Sequence, residues 1–280
     1  MKTRSNFLWL AILTMMVRLL ITAGTAQAQT QETQASRLDQ RVLATVFSGQ
    51  ERLHYSVSWS GGVKIGDIFL EILPDKARKD GYLISAKVSD YGPFKLIYPV
   101  DDTFHCLVSG PLKLPHRYEV VQREGFSGKE TRRMTWYDQR LKYVRYQKND
   151  ETPERFELEG TVYNEFASFI ITRALAFKEN EEIVVPTFAD KKRHEVRVAL
   201  LAKEQKATIF GDKETLKVQP KMQFKGLYDK DGDTVLWITD DACRVPVEIN
   251  SRIVVGSLVA ELVDYANPAC PELSVPPQAP

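Results

Sequence analysis

Apolar and polar residues alternate along most of this chain, which is the pattern of β-strands with one buried and one exposed face. The alternation is clear from Leu53 to Trp59, where every second residue is apolar. After a Ser60-Gly61-Gly62 turn, the apolar parity changes near Gly66. A one-residue shift moves every side chain to the other face, so this change predicts a β-bulge at Gly66.

The alternation recurs at short intervals as far as Tyr265, with Gly, Pro and Asp turns between the segments. Further strands are predicted at residues 82–88, 94–98, 104–108, 118–121, 133–137, 141–146, 182–185, 195–201, 206–210, 214–218 and 221–224. Many short strands predict a mainly β fold, either a large curved antiparallel sheet or an incomplete β-barrel.

The best-specified strands form an antiparallel meander near the C-terminus. Asp240 and Asp241 predict its first turn, because their short side chains hydrogen-bond nearby backbone N–H groups. Asn250-Ser251 predicts its second turn. Pro246 has no N–H to donate, so we expect it at an edge or a bulge. With Arg244, the two aspartates form a polar cluster to which we assign a structural role.

One segment breaks the strand pattern. Residues 164–177 carry apolar side chains at helical spacing, and Asn164 is a suitable N-cap. A single helix among strands is expected to pack against one face of the sheet. Arg173 shares the apolar face of this helix, and a buried guanidinium without a partner is costly. We expect the partner to be a carboxylate of the Asp240-Asp241 turn; the alternative is that Arg173 reaches solvent from the edge of the face.

The N-terminus has the pattern of a secretory signal peptide. Lys2 and Arg4 precede an apolar run, and small residues lead to an exit at Ala28. The alternative is a membrane anchor, but Arg18 leaves the run shorter than the ~20 apolar residues that a span needs. We therefore predict export to the periplasm with cleavage after Ala28. The mature chain contains no further run that approaches spanning length.

Composition divides the mature chain into three parts. Residues 29–49 are polar and predict a flexible lead-in, and residues 50–266 predict a single β-rich domain. The Pro-rich residues 267–280 predict an extended or disordered tail. Loss of the three basic residues of the leader changes the net charge from +1 to −2. A near-neutral chain lacks the general basic face that nucleic acids or anionic membranes attract, so no nucleic-acid partner is predicted.

Three cysteines remain in the mature chain, namely Cys106, Cys243 and Cys270. In an oxidising compartment two of them can pair and one is left over. A final hairpin folded about Asn250-Ser251 places Cys243 opposite Leu258 and not opposite Cys270. A disulfide between these two therefore requires the C-terminal tail to fold back, and the pairing stays open.

A series of short motifs occurs in order between residues 49 and 265. They are Gly49-x-Glu51-x-Leu53-x-Tyr55-x-Val57, Gly66, Pro99-Val100-Asp101-Asp102, Leu114-Pro115-x-Arg117-Tyr118, Ser168 with Arg173, Gly211, Trp237-Ile238-Thr239-Asp240-Asp241, Arg244-Val245-Pro246-Val247 and Gly256-Ser257. Together they resemble a family of exported bacterial proteins, the domain of unknown function 3108 (DUF3108). Asn164 departs from the acidic helix cap that the resemblance leads us to expect. The resemblance implies an exported β protein of the cell envelope and brings no known reaction.

Local motifs for catalysis or metal binding do not occur in the sequence. The four histidines are scattered without metal-ligand spacing, and hydrolase and nucleotide-binding motifs are missing. Asp229, Asp231 and Asp233 imitate the start of a calcium loop. The sixth position of such a loop needs glycine, and here it is Thr234, so a hairpin turn is the better interpretation. His105 and Cys106 are neighbours on a strand and point to opposite faces. We predict no catalytic residue, no metal ligand and no cofactor.

The candidate ligand-binding residues are Tyr91, Phe94 and Tyr98, together with Arg173 and Trp237. Aromatic residues at strand spacing are usually part of the core, but some can line a cavity between a curved sheet and a helix. The sequence therefore favours a non-catalytic envelope protein. We expect it to bind an amphipathic or apolar ligand such as a lipid, or else an envelope protein.

Two alternatives belong to other functional classes. An enzyme acting on envelope glycan or lipid would use carboxylates such as Asp101, Asp102, Asp240 and Asp241. A structural assembly factor would instead pair a partner's strand with an exposed sheet edge.

Overall fold

In the computed structural model, one large sheet curves around a helix. The structure describes residues 37–96, 99–126, 128–221, 234–253 and 256–273. The predicted signal peptide lies outside these residues, as do Tyr98 and residues 222–233, which include the segment that imitates a calcium loop.

The described residues form fifteen strands, two α-helices and two short 3-10 helices. The strands are β1 (Glu51–Trp59), β2 (Val63–Pro74), β3 (Tyr82–Asp90), β4 (Asp101–Ser109), β5 (Leu114–Arg123), β6 (Glu130–Asp138), β7 (Tyr143–Lys148), β8 (Glu154–Glu157), β9 (Tyr163–Asn164), β10 (Glu182–Ala189), β11 (Lys192–Thr208), β12 (Gly211–Lys221), β13 (Thr234–Thr239), β14 (Pro246–Arg252) and β15 (Ser257–Ala266). The α-helices are α1 (Gln40–Val46) and α2 (Glu165–Thr172), and the 3-10 helices are Gly92–Leu96 and Pro271–Leu273.

The sheet is built outwards from its middle, where β1 pairs with β15. Its order is β8-β7-β6-β5-β4-β3-β2-β1-β15-β14-β13-β12-β11-β10-β9. The mainly β, curved fold is thus confirmed. The prediction that the sheet is antiparallel was wrong at one place, because β9 lies parallel to β10. Among the described residues β8 and β9 are left as edges, so hydrogen bonds do not close the sheet into a barrel.

Side chains bridge the open seam between β8 and β10. The rings of Phe156 and Phe188 have their centroids 5.7 Å apart. Near them, the ammonium of Lys191 pairs with the carboxylate of Glu154. The two ends of the sheet therefore meet through packing and charge, without a shared ladder.

Helix α2 packs inside the curve of the sheet, as predicted. Its Phe166 ring lies against Phe104 on β4 and Tyr118 on β5, with centroids 6.1 and 6.4 Å away. The side chain of Asn164 accepts a hydrogen bond from the Ala167 N–H at 2.6 Å, which makes it the N-cap. The prediction of a helix to residue 177 was wrong, because α2 ends at Thr172.

A second helix occupies part of the segment predicted to be a flexible lead-in. Asp39 caps α1 by accepting hydrogen bonds from the N–H groups of Arg41 and Val42. The helix buries Val42, Leu43 and Val46. These residues lie at helical spacing, so their burial explains why residues 40–46 are ordered. The prediction of a flexible lead-in was therefore wrong for residues 40–46, and the prediction of a single helix was wrong.

Three local predictions need correction. Residues 94–96, predicted to start a strand, belong instead to the 3-10 helix Gly92–Leu96. Gly92 has a φ of +61° and starts a turn there. The two strands predicted at 195–201 and 206–210 are one long strand, β11, with an irregularity after Leu200. The final turn is not at Asn250-Ser251, because β14 continues and Ser251 pairs with Leu258.

The predicted irregularities at Gly66 and Pro246 are present. The register of β1 and β2 shifts so that Ile65, beside Gly66, is the extra residue of a bulge. A Cβ at Gly66 would lie 2.5 Å from the backbone oxygen of Ser89, so the close approach of β3 also requires glycine. Pro246 opens β14 opposite Ile238, next to a second register shift.

The C-terminal tail folds back onto the domain as far as Leu273, so its prediction as extended or disordered was wrong for residues 267–273. Cys270 forms a disulfide with Cys243, and both cysteines are buried. The side chain of Leu273 is buried beside them. The predicted position of Cys243 opposite Leu258 was wrong, because that hairpin does not turn at residues 250–251.

Arg173 forms a buried ion pair, but with Glu51 and not with the predicted aspartates. The two guanidinium nitrogens Nη1 and Nη2 donate to the carboxylate oxygens at 2.6 and 2.8 Å, and both side chains are 0% exposed. The backbone oxygens of Cys243 and Arg244 accept two further hydrogen bonds from Arg173. Burial alone would lower the pKa of Arg173, but the Glu51 carboxylate outweighs it and the pKa is raised.

Neither helix among the described residues has both the length and the apolar character needed to cross a bilayer.

Replacing Arg173 should destabilise the fold strongly, because Glu51 would be left charged and buried. We expect Arg173→Met to lower the free energy of unfolding by about 3–5 kcal/mol in urea denaturation. Arg155→Met is the matched control: Arg155 forms an exposed pair with Glu157, so its replacement should leave the free energy of unfolding nearly unchanged. The double variant Glu51→Leu/Arg173→Met should recover part of the loss. A loss below about 1 kcal/mol for Arg173→Met would contradict the role of the pair.

The disulfide should stabilise the fold by restricting the unfolded chain. It closes a loop with a sequence separation of 27, which corresponds to roughly 3 kcal/mol. We expect Cys243→Ser/Cys270→Ser to lose about this amount in urea denaturation. Dithiothreitol should destabilise the native chain equally and leave the variant unchanged. Equal sensitivity of both proteins to the reductant would argue against the pairing.

Candidate functional site

The inner face of the sheet, which packs around α2, becomes polar at one end of β5, β6 and β7. On β5 the inward residues Tyr118 and Val120 are followed by Gln122, and on β6 Thr135 is preceded by Arg133. An open pocket of about 410 Å³ lies at this end. We call it the Arg133 pocket, and it is lined by Gln122, Glu124, Lys129, Thr131, Arg133, Tyr146 and Lys148.

The charges of the Arg133 pocket favour an anion. Lys129, Arg133 and Lys148 bring three positive charges to its wall, and Glu124 brings one negative charge. The Nη2 group of Arg133 donates a hydrogen bond to Oε1 of Gln122 at 2.5 Å, which orients the guanidinium across the pocket. A planar guanidinium flanked by two ammonium groups is a common arrangement for binding phosphate or carboxylate.

A buried carboxyl group lies behind the pocket wall. Asp102, on the inner face of β4, is 0% exposed. Its oxygens accept hydrogen bonds from the Gln122 Nε2 at 3.1 Å and from the Arg123 N–H at 3.0 Å. The same Gln122 nitrogen donates to Glu124 at 3.0 Å, so the two carboxyl groups share one donor. Burial, with help from Glu124, raises the pKa of Asp102 to about 6.

A second carboxyl group with a raised pKa is found in the first turn of α2. Burial raises the pKa of Glu165 to about 7, although its own backbone N–H and the nearby charge of Arg133 oppose the shift. The charge of Arg133 thus lowers the pKa of Glu165, and Arg133 also lines the pocket. Two carboxyl groups that titrate near neutrality therefore lie close to one open cationic pocket, which is an arrangement found at functional sites.

The free thiol of Cys106 is not a nucleophile in this environment. Cys106 is fully buried on β4, and the side-chain amide of Asn164 donates a hydrogen bond to its sulfur at 3.2 Å. Burial raises the pKa of the thiol to about 12, which keeps it protonated. His105 points away, as predicted, and lines an outer depression of about 220 Å³ with Arg117 and Glu119.

One group of three potential metal ligands occurs among the described residues. It consists of Cys243, Cys270 and Glu272, whose ligand atoms lie within 4.8 Å of one another. Metals bind cysteine as the thiolate, and in this structure both sulfurs are joined in the disulfide. The group therefore serves as a covalent link and not as a metal site in this state.

Among the described residues, the predicted ligand-binding side chains Tyr91, Arg173 and Trp237 lie in different parts of the molecule. Tyr91 is exposed, with the ammonium of Lys64 4.1 Å from its ring, and Phe94 follows in the 3-10 helix. Tyr98 is outside the described residues. Trp237 lies on the outer face of β13, where it donates to Glu204 and contacts Lys206 and Lys217. Arg173 is in the interior, paired with Glu51.

The three predicted members of the polar cluster lie together in the turn between β13 and β14. One carboxylate oxygen of Asp241 accepts hydrogen bonds from the N–H groups of Cys243 and Arg244 at 2.9 and 3.0 Å. Asp240 is 2.7 Å from the ammonium of Lys203 and 3.7 Å from the guanidinium of Arg244. These contacts shape the turn whose backbone oxygens receive Arg173.

Sequence reasoning missed the Arg133 pocket, although the signal was present. Gln122, Arg133 and Lys148 continue the inward parity of their strands beyond the last apolar residue. Polar residues in phase with buried ones, at the same end of three neighbouring strands, are expected to converge. Glu51 gave a similar signal, because it is in phase with the buried Leu53.

The raised pKa of Asp102 should make stability depend on pH. Between the ordinary pKa of 3.8 and about 6, the unfolded chain releases a proton that the folded chain retains. Stability should therefore fall as pH rises through this window. We expect the free energy of unfolding of the native protein, minus that of Asp102→Asn, to fall by roughly 2 kcal/mol between pH 4 and pH 7 in urea denaturation. A constant difference across this range would contradict the burial of a titrating Asp102.

Comparison with known proteins supports the fold and the family. A beta-barrel-like protein of the domain of unknown function DUF1849 from Brucella abortus, known from a crystal structure, is similar to this chain with a TM-score of 0.55. The identity is 11%, and the similarity covers 78% of this chain and 98% of that chain. This likeness concerns the fold alone.

Nothing among the curated proteins matches the chain. The model of one family, described as protein of unknown function (DUF3108), matches residues 54–263. The match extends from β1 to β15 and includes the strands that form the Arg133 pocket. The chain therefore belongs to the DUF3108 family.

Proposed function

We propose that this protein is an exported, non-catalytic protein of the bacterial envelope that binds an amphipathic ligand by its anionic group. The observation that carries the proposal is the Arg133 pocket, an open cavity with three cationic side chains and one carboxylate. Export is supported by the pattern of residues 1–28 and by the Cys243–Cys270 disulfide, which is typical of oxidising compartments.

The packing of the interior decides which part of the ligand the pocket accepts. The aromatic rings of Phe104, Tyr118 and Phe166 pack against one another behind the pocket, so this region has no room for an apolar chain. The pocket wall itself is polar, apart from the ring of Tyr146. An anionic head group therefore fits the pocket, and the apolar part of the ligand remains outside it.

The observation that favours an enzyme acting on glycan or lipid is that two carboxyl groups, those of Asp102 and Glu124, lie close together at the pocket. Asp102, however, is not exposed, and its oxygens already accept two hydrogen bonds. Asp101 lies between Lys87 and Arg123, at 3.4 and 3.6 Å. Glu124 is thus the one carboxyl group of the pocket wall, whereas glycoside hydrolysis needs two that face the substrate.

Strand addition at a sheet edge is less well supported. The edge strand β8 has four residues, three of them charged, and β9 has two residues. Short, charged edge strands are a common means of preventing pairing with another chain.

Binding of dodecyl phosphate, measured by calorimetry below its micelle concentration, tests the proposed function. We expect Lys129→Gln/Lys148→Gln to weaken binding about tenfold, which is roughly 1.4 kcal/mol, because two charges facing the phosphate are lost. Lys79→Gln is the control, since Lys79 is exposed in the turn between β2 and β3 at the opposite end of the sheet.

Dodecyl maltoside, which has the same alkyl chain and no charge, should bind at least ten times more weakly than dodecyl phosphate. No measurable binding of dodecyl phosphate, or equal weakening by Lys79→Gln, would refute the assignment of the pocket.

A further inference from the structure

Three strand connections lie side by side at the end of the sheet where the Arg133 pocket opens. They join β1 to β2, β3 to β4, and β5 to β6, and their described residues are 60–62, 91–96 with 99–100, and 124–126 with 128–129. The six strands are consecutive neighbours in the sheet, so alternate connections fall at the same end, about 10 Å apart. We call this surface the tip rim.

Exposed apolar side chains are concentrated on the tip rim. Among the described residues, eight large hydrophobic side chains are exposed, and five belong to the tip rim or the strand ends that border it. These five are between 43% and 78% exposed: Trp59, Val63, Tyr91, Leu96 and Phe126. Isolated exposed apolar residues are normal, but five on adjoining connections mark an interaction surface.

Backbone hydrogen bonds hold the three connections together. The N–H of Tyr91 donates to the oxygen of Ile65 at 2.9 Å, which ties the second connection to the first hairpin. The N–H of Gly125 donates to the oxygen of Pro99 at 2.9 Å, which ties the third connection to the second. The apolar side chains therefore project from one continuous support.

A lysine lies in or next to each connection, namely Lys64 near the start of β2, Lys95 and Lys129. Lys64 is paired with Asp67 at 2.9 Å, whereas Lys95 and Lys129 lie in the connections themselves. The neighbouring acidic groups are engaged: Asp90 accepts from the Val100 N–H at 2.8 Å, and Glu130 pairs with Arg123 at 2.7 Å. Convex tips with aromatic side chains and flanking lysines match the interface of a bilayer, where rings enter the head-group layer and ammonium groups meet anionic lipids.

We infer that the tip rim docks onto the surface of a bilayer that contains anionic lipid. The mature chain is near neutral, so charge alone would not hold it there. The apolar tips provide the insertion, and Lys95 and Lys129 provide the preference for anionic lipid. This inference does not rest on the proposed function, because the exposed apolar side chains that carry it do not line the Arg133 pocket, although Lys129 borders both surfaces.

Co-sedimentation with vesicles tests the inference on the purified protein. We expect binding to vesicles of phosphatidylcholine mixed with phosphatidylglycerol, and weaker binding to phosphatidylcholine alone. Leu96→Ser/Phe126→Ser should lower the partition coefficient roughly tenfold or more, because two exposed side chains that enter the bilayer are lost. Leu141→Ser is the matched control: Leu141 is 54% exposed in the turn between β6 and β7, at the opposite end of the sheet. All variants carry the same N-terminal residues, so any contribution of the leader cancels.

Tryptophan fluorescence measures directly how deeply the tip rim enters the bilayer. In a Trp9→Phe background, which removes the tryptophan of the leader, lipids brominated on their chains should quench the fluorescence of the vesicle-bound protein. Adding Trp59→Phe should remove most of this quenching. No binding to anionic vesicles, equal loss with Leu141→Ser, or no quenching of Trp59 would each overturn the inference.

Binding of dodecyl phosphate separates this inference from the proposed function. Leu96→Ser/Phe126→Ser should leave that binding unchanged if the tip rim and the pocket act independently. Loss of vesicle binding with intact dodecyl phosphate binding would locate the membrane contact on the tips alone. A loss of both would overturn the independence of the two surfaces.

Discussion

The buried ion pair between Glu51 and Arg173 is the constraint on which the rest of the structure depends. A charge in the interior is tolerated only when its hydrogen bonds are satisfied, and this pair draws its partners from distant parts of the chain. Arg173 ends α2 and bonds the turn between β13 and β14, while Glu51 opens β1. Tyr265 on β15 also donates to Glu51, at 3.2 Å. The helix, both central strands and the turn must therefore be in place together.

How much could be predicted from the sequence depended on whether the signal was local. Alternation over consecutive residues identified most strands, and the parity change at Gly66 placed a bulge within one residue. The predicted carboxylate partner of Arg173 was wrong. Asp240-Asp241 is recognisable as a turn from neighbouring residues, whereas Glu51 is marked as buried only by its place in the alternation of β1. A charged residue in phase with Leu53 and Tyr55 was the sign of a buried partner.

The features that could not be predicted rest on long-range geometry. Whether Cys243 meets Cys270 depends on where the final hairpin turns, and β14 continues past Asn250-Ser251 until Arg252 pairs with Ser257. The Arg133 pocket likewise requires the register between β5, β6 and β7, which alternation in a single strand does not give. Fold class thus follows from local pattern, whereas the site follows from register.

The pairing of β1 with β15 at the centre of the sheet has a consequence for when the protein can fold. The two strands are the first and the last that the described residues form, so the middle of the sheet joins distant segments of the chain. Contacts between distant segments form slowly, because the intervening chain must first be ordered. During synthesis, the ladder of β1 and the partners of Glu51 stay incomplete until residues 257–266 have left the ribosome. An emerging chain therefore remains without its central strand pair until almost all of the sheet has been synthesised.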